Sequence, residues 1–237
     1  LLAYSLDLKG SEYYTIHIRD IKSRKQFGEK IENTSGGITF SLDDKYIFYS
    51  KLDDNHRPRE IYRHEIGTPT SKDILIFKEE SEAFTVGIGL SSDEKYFFIT
   101  SSDHNTSEQY YFKADEIIPK PKLIDKRKRG IIYSVNSWNG NFYKHTNEDA
   151  EDFKIEKTND LEKKEWETFI PAREEVLIGG LIFLNDWIIR SETSNALSKL
   201  ILRNPKNDEE EEIFFSDEKV IVPGVSLTQR DRNTDTP

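Results

Sequence analysis

Apolar residues come in short runs broken by polar, mostly acidic turns, and no stretch carries a sustained stripe of helical period. The pattern is set by residues 39–53, Thr-Phe-Ser-Leu-Asp-Asp-Lys-Tyr-Ile-Phe-Tyr-Ser-Lys-Leu-Asp. It returns at residues 89–103 as Gly-Leu-Ser-Ser-Asp-Glu-Lys-Tyr-Phe-Phe-Ile-Thr-Ser-Ser-Asp, with Ser41/Ser91, Asp43/Asp93, Lys45/Lys95, Tyr46/Tyr96, Phe48/Phe98 and Asp53/Asp103 identical. Each copy reads as a strand, an acidic turn and an aromatic strand. Tyr46-Ile47-Phe48-Tyr49 lacks a polar position. A half-exposed strand alternates apolar with polar, so this one is expected to be covered on both faces. Strand units recurring every ~40–50 residues are the mark of propeller blades.

Reading outward from that unit predicts an all-β chain of four whole blades and a fragment. Residues 1–31 form a partial blade, with strands at 1–6 and 13–20 and a weaker third at 25–31; Asn33-Thr34-Ser35-Gly36-Gly37 then interrupts the pattern. Whole blades follow at 37–78, 84–125, 131–169 and 176–215, and 216–237 is an incomplete blade, with an inner strand at 220–225, or a loose tail. Asn139-Gly140 and Asn185-Asp186 supply hairpin turns. The aromatic anchor recurs as Tyr96, Phe142 and Trp187, at steps of 46 and 45 residues. Gly87 and Gly89 fall in an innermost strand, where small residues are expected to let strands crowd. Strand order places Thr39, Val86, Tyr133 and Leu177 on inner strands, as channel-lining candidates. The best helical stretch, residues 161–167, is one short polar segment.

Composition narrows the function classes. With 35% hydrophobic and 12% aromatic residues, Phe and Tyr must supply much of the core. A formal charge of −10 argues against a nucleic-acid partner, whose recognition rests on clustered Lys and Arg. The basic run Lys126-Arg127-Lys128-Arg129 reads as a solvated loop between blades. Without cysteine there is neither a disulfide nor a thiolate site, which fits a reducing, cytoplasmic setting. No apolar run approaches the ~18–20 residues of a membrane span, so no membrane partner is expected. The chain starts inside a strand and has no Met, as expected of a piece of a longer protein.

Nothing in the sequence reads as chemistry. There is no Gly-x-Ser-x-Gly elbow and no phosphate loop; Gly87-Ile88-Gly89 precedes no helical pattern. His17, His56, His64, His104 and His145 are scattered, and His64, in a strand after Tyr62-Arg63, reads as a packed structural residue. The carboxylate run of residues 208–212 lacks the spacing of a calcium loop and reads as a solvated hairpin edge. Asp43-Asp44 and Asp53-Asp54 read as turn formers. The expectation is therefore no catalytic residue, no cofactor and no metal.

Several ordered strings carry a resemblance. They are Tyr62-Arg63-His64-Glu65-Ile66-Gly67-Thr68, then Arg127-Lys128-Arg129-Gly130-Ile131-Ile132-Tyr133-Ser134-Val135, and Phe142-Tyr143 leading to Thr146-Asn147, Ala150 and Phe153. Ile170-Pro171 with Arg173 and Tyr14-Thr15-Ile16 add to them. In this order they resemble the propeller of the oligopeptidase B (protease II) branch of the prolyl oligopeptidase family of serine peptidases, from residue 1 to about residue 215. The resemblance implies a seven-bladed propeller, of which about five four-stranded blades stand here, capping an α/β-hydrolase domain that holds a Ser-Asp-His triad. It also implies a gate that restricts access to short peptides and, in the oligopeptidase B branch, cleavage after Arg or Lys. No residue of this chain matches the triad motifs, so the hydrolase domain, in the same polypeptide or a separate one, is the expected partner, and basic peptides are the expected substrates. Fold alone leaves open a free-standing interaction propeller, or the remnant of a split peptidase gene.

Overall fold

A computed structural model describes residues 1–116 and 118–213. The first sheet holds six strands in sequence order: β1 (Leu2–Leu6), β2 (Tyr14–Arg19), β3 (Ile31–Phe40), β4 (Tyr46–Leu52), β5 (Pro58–Glu65) and β6 (Ile74–Lys78). The second holds β7 (Thr85–Leu90), β8 (Tyr96–Ser102), β9 (Ser107–Lys113) and β10 (Lys122–Leu123). The third holds β11 (Tyr133–Trp138), β12 (Asn141–Thr146), β13 (Lys154–Thr158) and β14 (Glu167–Ile170). The fourth holds β15 (Leu177–Phe183), β16 (Ile188–Ser194), β17 (Leu197–Arg203) and β18 (Glu210–Glu212). Every pairing is antiparallel, and the sole helical element among the described residues is a 3-10 turn at Thr70–Lys72. The chain is all-β, with its meanders packed face to face as in a partial propeller.

The repeated Ser-x-Asp sequence is a turn device. Ser41 Oγ donates to Asp43 at 2.8 Å and accepts from the Tyr46 N–H at 3.0 Å, and Ser91 does the same with Asp93 and Tyr96 at 2.8 and 3.0 Å. Asp44 and Glu94 then take the left-handed backbone, at φ 55° and 59°.

The apolar runs beyond these turns are covered on both faces because successive strand residues point to opposite sides. Ile47 and Tyr49 pack with Ile16, Ile18 and Ile31, whereas Phe48 faces the second sheet, meeting Val86, Phe97, Ile99 and Phe112. Phe97 turns back to Phe48, with ring centroids 4.7 Å apart, while Phe98 faces Tyr133, Val135 and Phe142 of the third sheet. Trp138, Tyr143 and Ile155 meet Ile178, Phe183 and Ile188 across the next seam. The core is thus a series of apolar seams between sheets.

The structure departs from the sequence reading at several points. Residues 33–37 do not interrupt the first sheet. They lie within β3, where Asn33 and Gly36 adopt φ 60° and 86° and the pairing with β2 and β4 shifts register. Glycine is required at residue 36, because a Cβ there would stand 3.0 Å from the Tyr14 ring and 3.1 Å from Ser5 Oγ. In place of a third strand at 25–31, Gln26 makes an isolated bridge to Arg19, and Ile31 opens β3. Gly87 and Gly89 do not relieve crowding, since a Cβ at either would meet nothing within 4 Å. The inner strand expected at 220–225, the end of the strand at 212–215 and the tail at 216–237 lie outside the described residues, apart from Glu212 and Ile213.

Candidate functional site

The feature that recurs from seam to seam is the way each sheet takes hold of the first strand of the next. Those first strands, β7, β11 and β15, are edge strands, and an unpaired edge is a template for adding another strand. Here the edge groups are occupied by side chains from the preceding sheet. Thr39 Oγ1 donates to the Ile88 carbonyl and Ser50 Oγ to the Val86 carbonyl, both at 3.3 Å. Ser107 Oγ donates to the Tyr133 carbonyl and accepts from the Tyr133 N–H, both at 2.7 Å, and Gln109 Oε1 accepts from the Val135 N–H at 2.6 Å. At the last seam His145 Nε2 donates to the Ile178 carbonyl at 2.7 Å, and Trp138 Nε1 to that of Leu184 at 2.9 Å. Since a carbonyl only accepts, His145 carries its proton on Nε2 in this bond. Burial pushes its pKa below the ordinary 6.5, against the pull of that hydrogen bond.

The acidic turn of the second sheet adds to the grip on β11. Asn136 accepts from the Ser92 N–H and donates to Ser92 Oγ, both at 2.8 Å, and Ser137 Oγ donates to Asp93 at 2.8 Å. Tyr133 closes the seam from behind. Its hydroxyl donates to the Asp125 carbonyl at 2.5 Å and accepts from the Gln109 N–H at 2.8 Å. Burial raises its pKa well above the phenol range, so it stays a neutral donor.

A buried ionic cluster ties three sheets at this place. Glu79, after β6, and Glu108, in β9, are 3% and 4% exposed, and Arg127 spans them at 3.1 and 3.5 Å while lying over the Phe84 ring. Ser101 also donates to Glu79, at 2.5 Å. Burial works to raise the Glu79 carboxyl, but the bonds from Arg127 and Ser101 outweigh it and hold it below its usual 4.5. Arg127 of the basic run is therefore a clamp between sheets, and Lys128 pairs with Glu148.

Other charged candidates are absorbed in the same way. His64, fully buried, bonds Asp73 at 2.6 Å, and Asp73 accepts from the Tyr49 hydroxyl. The carboxylate run at 208–212 is only partly solvated, because Arg190, 4% exposed, makes a two-pronged contact with Glu210, and Arg203 binds both Asp208 and Glu210. Arg190 was the signal to look for: a charged residue inside an apolar strand. Among the described residues no three His, Asp or Glu side chains are grouped to hold a metal.

The residues expected on inner strands sit differently. Thr39 lies where β3 pairs only with β4, and it reaches across to β7. The side chains of Val86 and Tyr133 are buried in the seams rather than turned to open space, whereas Leu177 is half exposed. Sequence reasoning missed Ser50, Ser107, Gln109 and Glu108, polar residues within strands. All four are buried.

Residues 1–236 match the family described as prolyl oligopeptidase, N-terminal beta-propeller domain. The chain is 31% identical to "Protease 2" of Moraxella lacunata over 193 residues, 76% of this chain and 28% of that protein. It is 28% identical to "Dipeptidyl aminopeptidase BI" of Pseudoxanthomonas mexicana over 233 residues, 95% of this chain and 31% of that one. Among solved structures, oligopeptidase B from Leishmania major superposes with a TM-score of 0.84 at 19% identity, covering 91% of this chain and 32% of that one. Oligopeptidase B from Trypanosoma brucei with covalently bound antipain, in a closed form, gives 0.82 at 25% identity, covering 91% and 31%. The chain spans less than a third of the length of the curated relatives it matches. It belongs to the prolyl oligopeptidase family, as a portion of the N-terminal β-propeller of such a peptidase.

Proposed function

We propose that this propeller portion gates the access of short peptides to an α/β-hydrolase domain, in the same polypeptide or a separate one, that cleaves after Arg or Lys in the cytoplasm. The observation that carries the reading is the similarity to Protease 2, which aligns with 76% of this chain but leaves most of that protein's own length for other parts. The strands bearing Thr39, Val86, Tyr133 and Leu177 form the channel wall through their edges, with the Val86 and Tyr133 side chains acting from behind it. Closed edges suit a wall that peptides pass without being zipped onto it. Asp149, Glu151 and Asp152, in the β12–β13 loop, and Glu174 and Glu175, in the connection from β14 to β15, surround a hollow of about 470 Å³ whose lining cation, Arg173, is paired with Glu192, a favourable approach for basic peptides.

The test joins this chain to a hydrolase half carrying the Gly-x-Ser-x-Gly elbow and assays Arg- and Lys-containing fluorogenic peptides, short and long. Cleavage of short peptides only by the joined protein, and of none by this chain alone, is the expected result. Serine-dependent hydrolysis by the chain alone, or equal rates on long and short substrates, overturns it. The similarity to Dipeptidyl aminopeptidase BI over 95% of the chain favours a second reading, release of dipeptides from a free amino terminus. Blocking that terminus abolishes cleavage only on the second reading.

A further inference from the structure

The seam between the third and fourth sheets leaves a space beside β15. β15 shifts register against β16 between Ile178 and Leu181, where Gly179-Gly180 stands. A Cβ on Gly179 would lie 2.1 Å from Ser191 Oγ, so β15 presses on β16 there, whereas a Cβ on Gly180 would meet nothing within 4 Å. Beside Gly180 lies a cavity of about 230 Å³, walled by the first strands β11 and β15 and by β12 and β13 behind them. Its walls include Val135, Tyr143, Ile155, Leu181 and Phe183, with no carboxylate, lysine or arginine.

Three features define what fits. The volume falls below the ~300–1,000 Å³ of pockets that take a small molecule, and is the size of one large side chain. His145 and Asn136 in the wall are engaged, by the Ile178 carbonyl and by Ser92, and the remaining polar side chains, Ser134 and Tyr143, carry no charge, so a charged guest would lose its hydration without gaining an ionic partner. The N–H groups of Tyr133 and Val135 are already taken by Ser107 and Gln109, so a peptide backbone has no donor to pair with at those positions of β11. We infer that this cavity is a subsite for one uncharged aromatic or aliphatic side chain of a peptide in the channel. The inference deepens the gating role proposed above and rests on it.

The probe is the blocked tripeptide Ala-(4-fluoro-Phe)-Ala, titrated into this 237-residue chain and followed by fluorine NMR, with Ala-Ala-Ala and Ala-Asp-Ala as competitors. Trp138 stacks on Phe183 with centroids 5.4 Å apart, so its emission is a second readout. The fluoro-Phe peptide is expected to bind at least about tenfold tighter than either competitor. Gly180→Leu, which fills the empty space, is expected to erase that preference while leaving thermal unfolding unchanged. Ser134→Phe, on an exposed wall residue, gives the same test should Gly180→Leu fail to fold. Equal affinity for all three peptides, or a preference surviving both variants, overturns the subsite. Loss of Arg- or Lys-directed cleavage in the joined enzyme, with the preference intact, refutes the gating role and leaves the subsite standing.

Discussion

Tyr133→Phe isolates what one hydroxyl contributes to a seam. The ring stays in the cluster with Phe98, Tyr111 and Val135, so apolar burial is unchanged. What is lost is the bond to the Asp125 carbonyl at 2.5 Å and the bonds accepted from Gln109 N–H at 2.8 Å and Asp125 N–H at 3.2 Å. Gln109 is 4% exposed and its N–H has no water to turn to; Asp125 is less buried and recovers part of its hydration. Leaving a buried donor or acceptor unpaired costs ~1–3 kcal/mol, so the sum is about 2–4 kcal/mol. At ~2–4 °C per kcal/mol for a chain of this size, the midpoint falls by about 4–16 °C. Tyr143→Phe is the control: Tyr143 is also buried, at 6%, but its hydroxyl makes no hydrogen bond among the described residues, so the change should stay within ~0.5 kcal/mol. Urea unfolding by tryptophan emission and far-UV circular dichroism measures both, and coincident transitions validate two-state analysis. Equal losses for the two variants, or none for Tyr133→Phe, would refute the seam as the place where the hydroxyl acts.

Arg127→Met should cost ~2–3 kcal/mol, below the ~3–5 of a fully buried pair because the Arg127 side chain is 28% exposed, and chemical denaturation reads it. Because the folded Glu79 carboxyl is held below its usual 4.5, its contribution is fully present above that value and is lost as pH falls through the depressed one; Arg127→Met should flatten this acid limb of the stability profile. His145 is depressed below 6.5, so it too stabilises above that pH and loses its contribution as pH falls through its folded value; His145→Gln, which can still donate to Ile178, should remove the slope seen in melting scans just below pH 6.5. Gly179→Ala, whose Cβ would meet Ser191 Oγ at 2.1 Å and its carbonyl at 3.0 Å, should lose ~1–3 kcal/mol, while Gly180→Ala should be neutral or gain a few tenths. Equal effects at the two glycines would contradict the register shift in β15.

The parts of this fold that could be read from sequence are those in which local chemistry repeats. Ser41-x-Asp43 and Ser91-x-Asp93 announce their turns because each turn is held by its own residues. Tyr46–Tyr49 announces coverage on both faces because strand alternation leaves no other place for four apolar side chains. Residues 33–37 were opaque for the converse reason: polar, Gly-containing sequence looks like a loop, and only the partners β2 and β4 hold it extended. The polar hooks were opaque as well. Ser107, Glu108 and Gln109 follow one another in one strand, and nothing local reveals that Tyr133, Arg127 and Val135 come to meet them from more than fifteen residues away. The basic run misled because the partners of Arg127, Glu79 and Glu108, lie in two other sheets.

The direction of these hooks bears on how such a wall can work. The hooks on the first strands take their side chain from the earlier sheet and their backbone group from the later one, as in Ser50 to Val86, Ser107 to Tyr133 and His145 to Ile178, while at the middle seam Asn136 and Tyr133 also reach back to the Ser92 and Gln109 N–H groups. One set of bonds therefore does two jobs, fixing a sheet against its neighbour and occupying edge groups that another strand would otherwise pair with. Holding edges by side chains also leaves the seams to differ in volume without loss of attachment. The third seam keeps its His145 and Trp138 hooks although Gly180 leaves space beside them. If it serves the gating role proposed above, a wall built this way would admit peptides past its backbone and discriminate among them by side chain, at the seam where Gly180 leaves space.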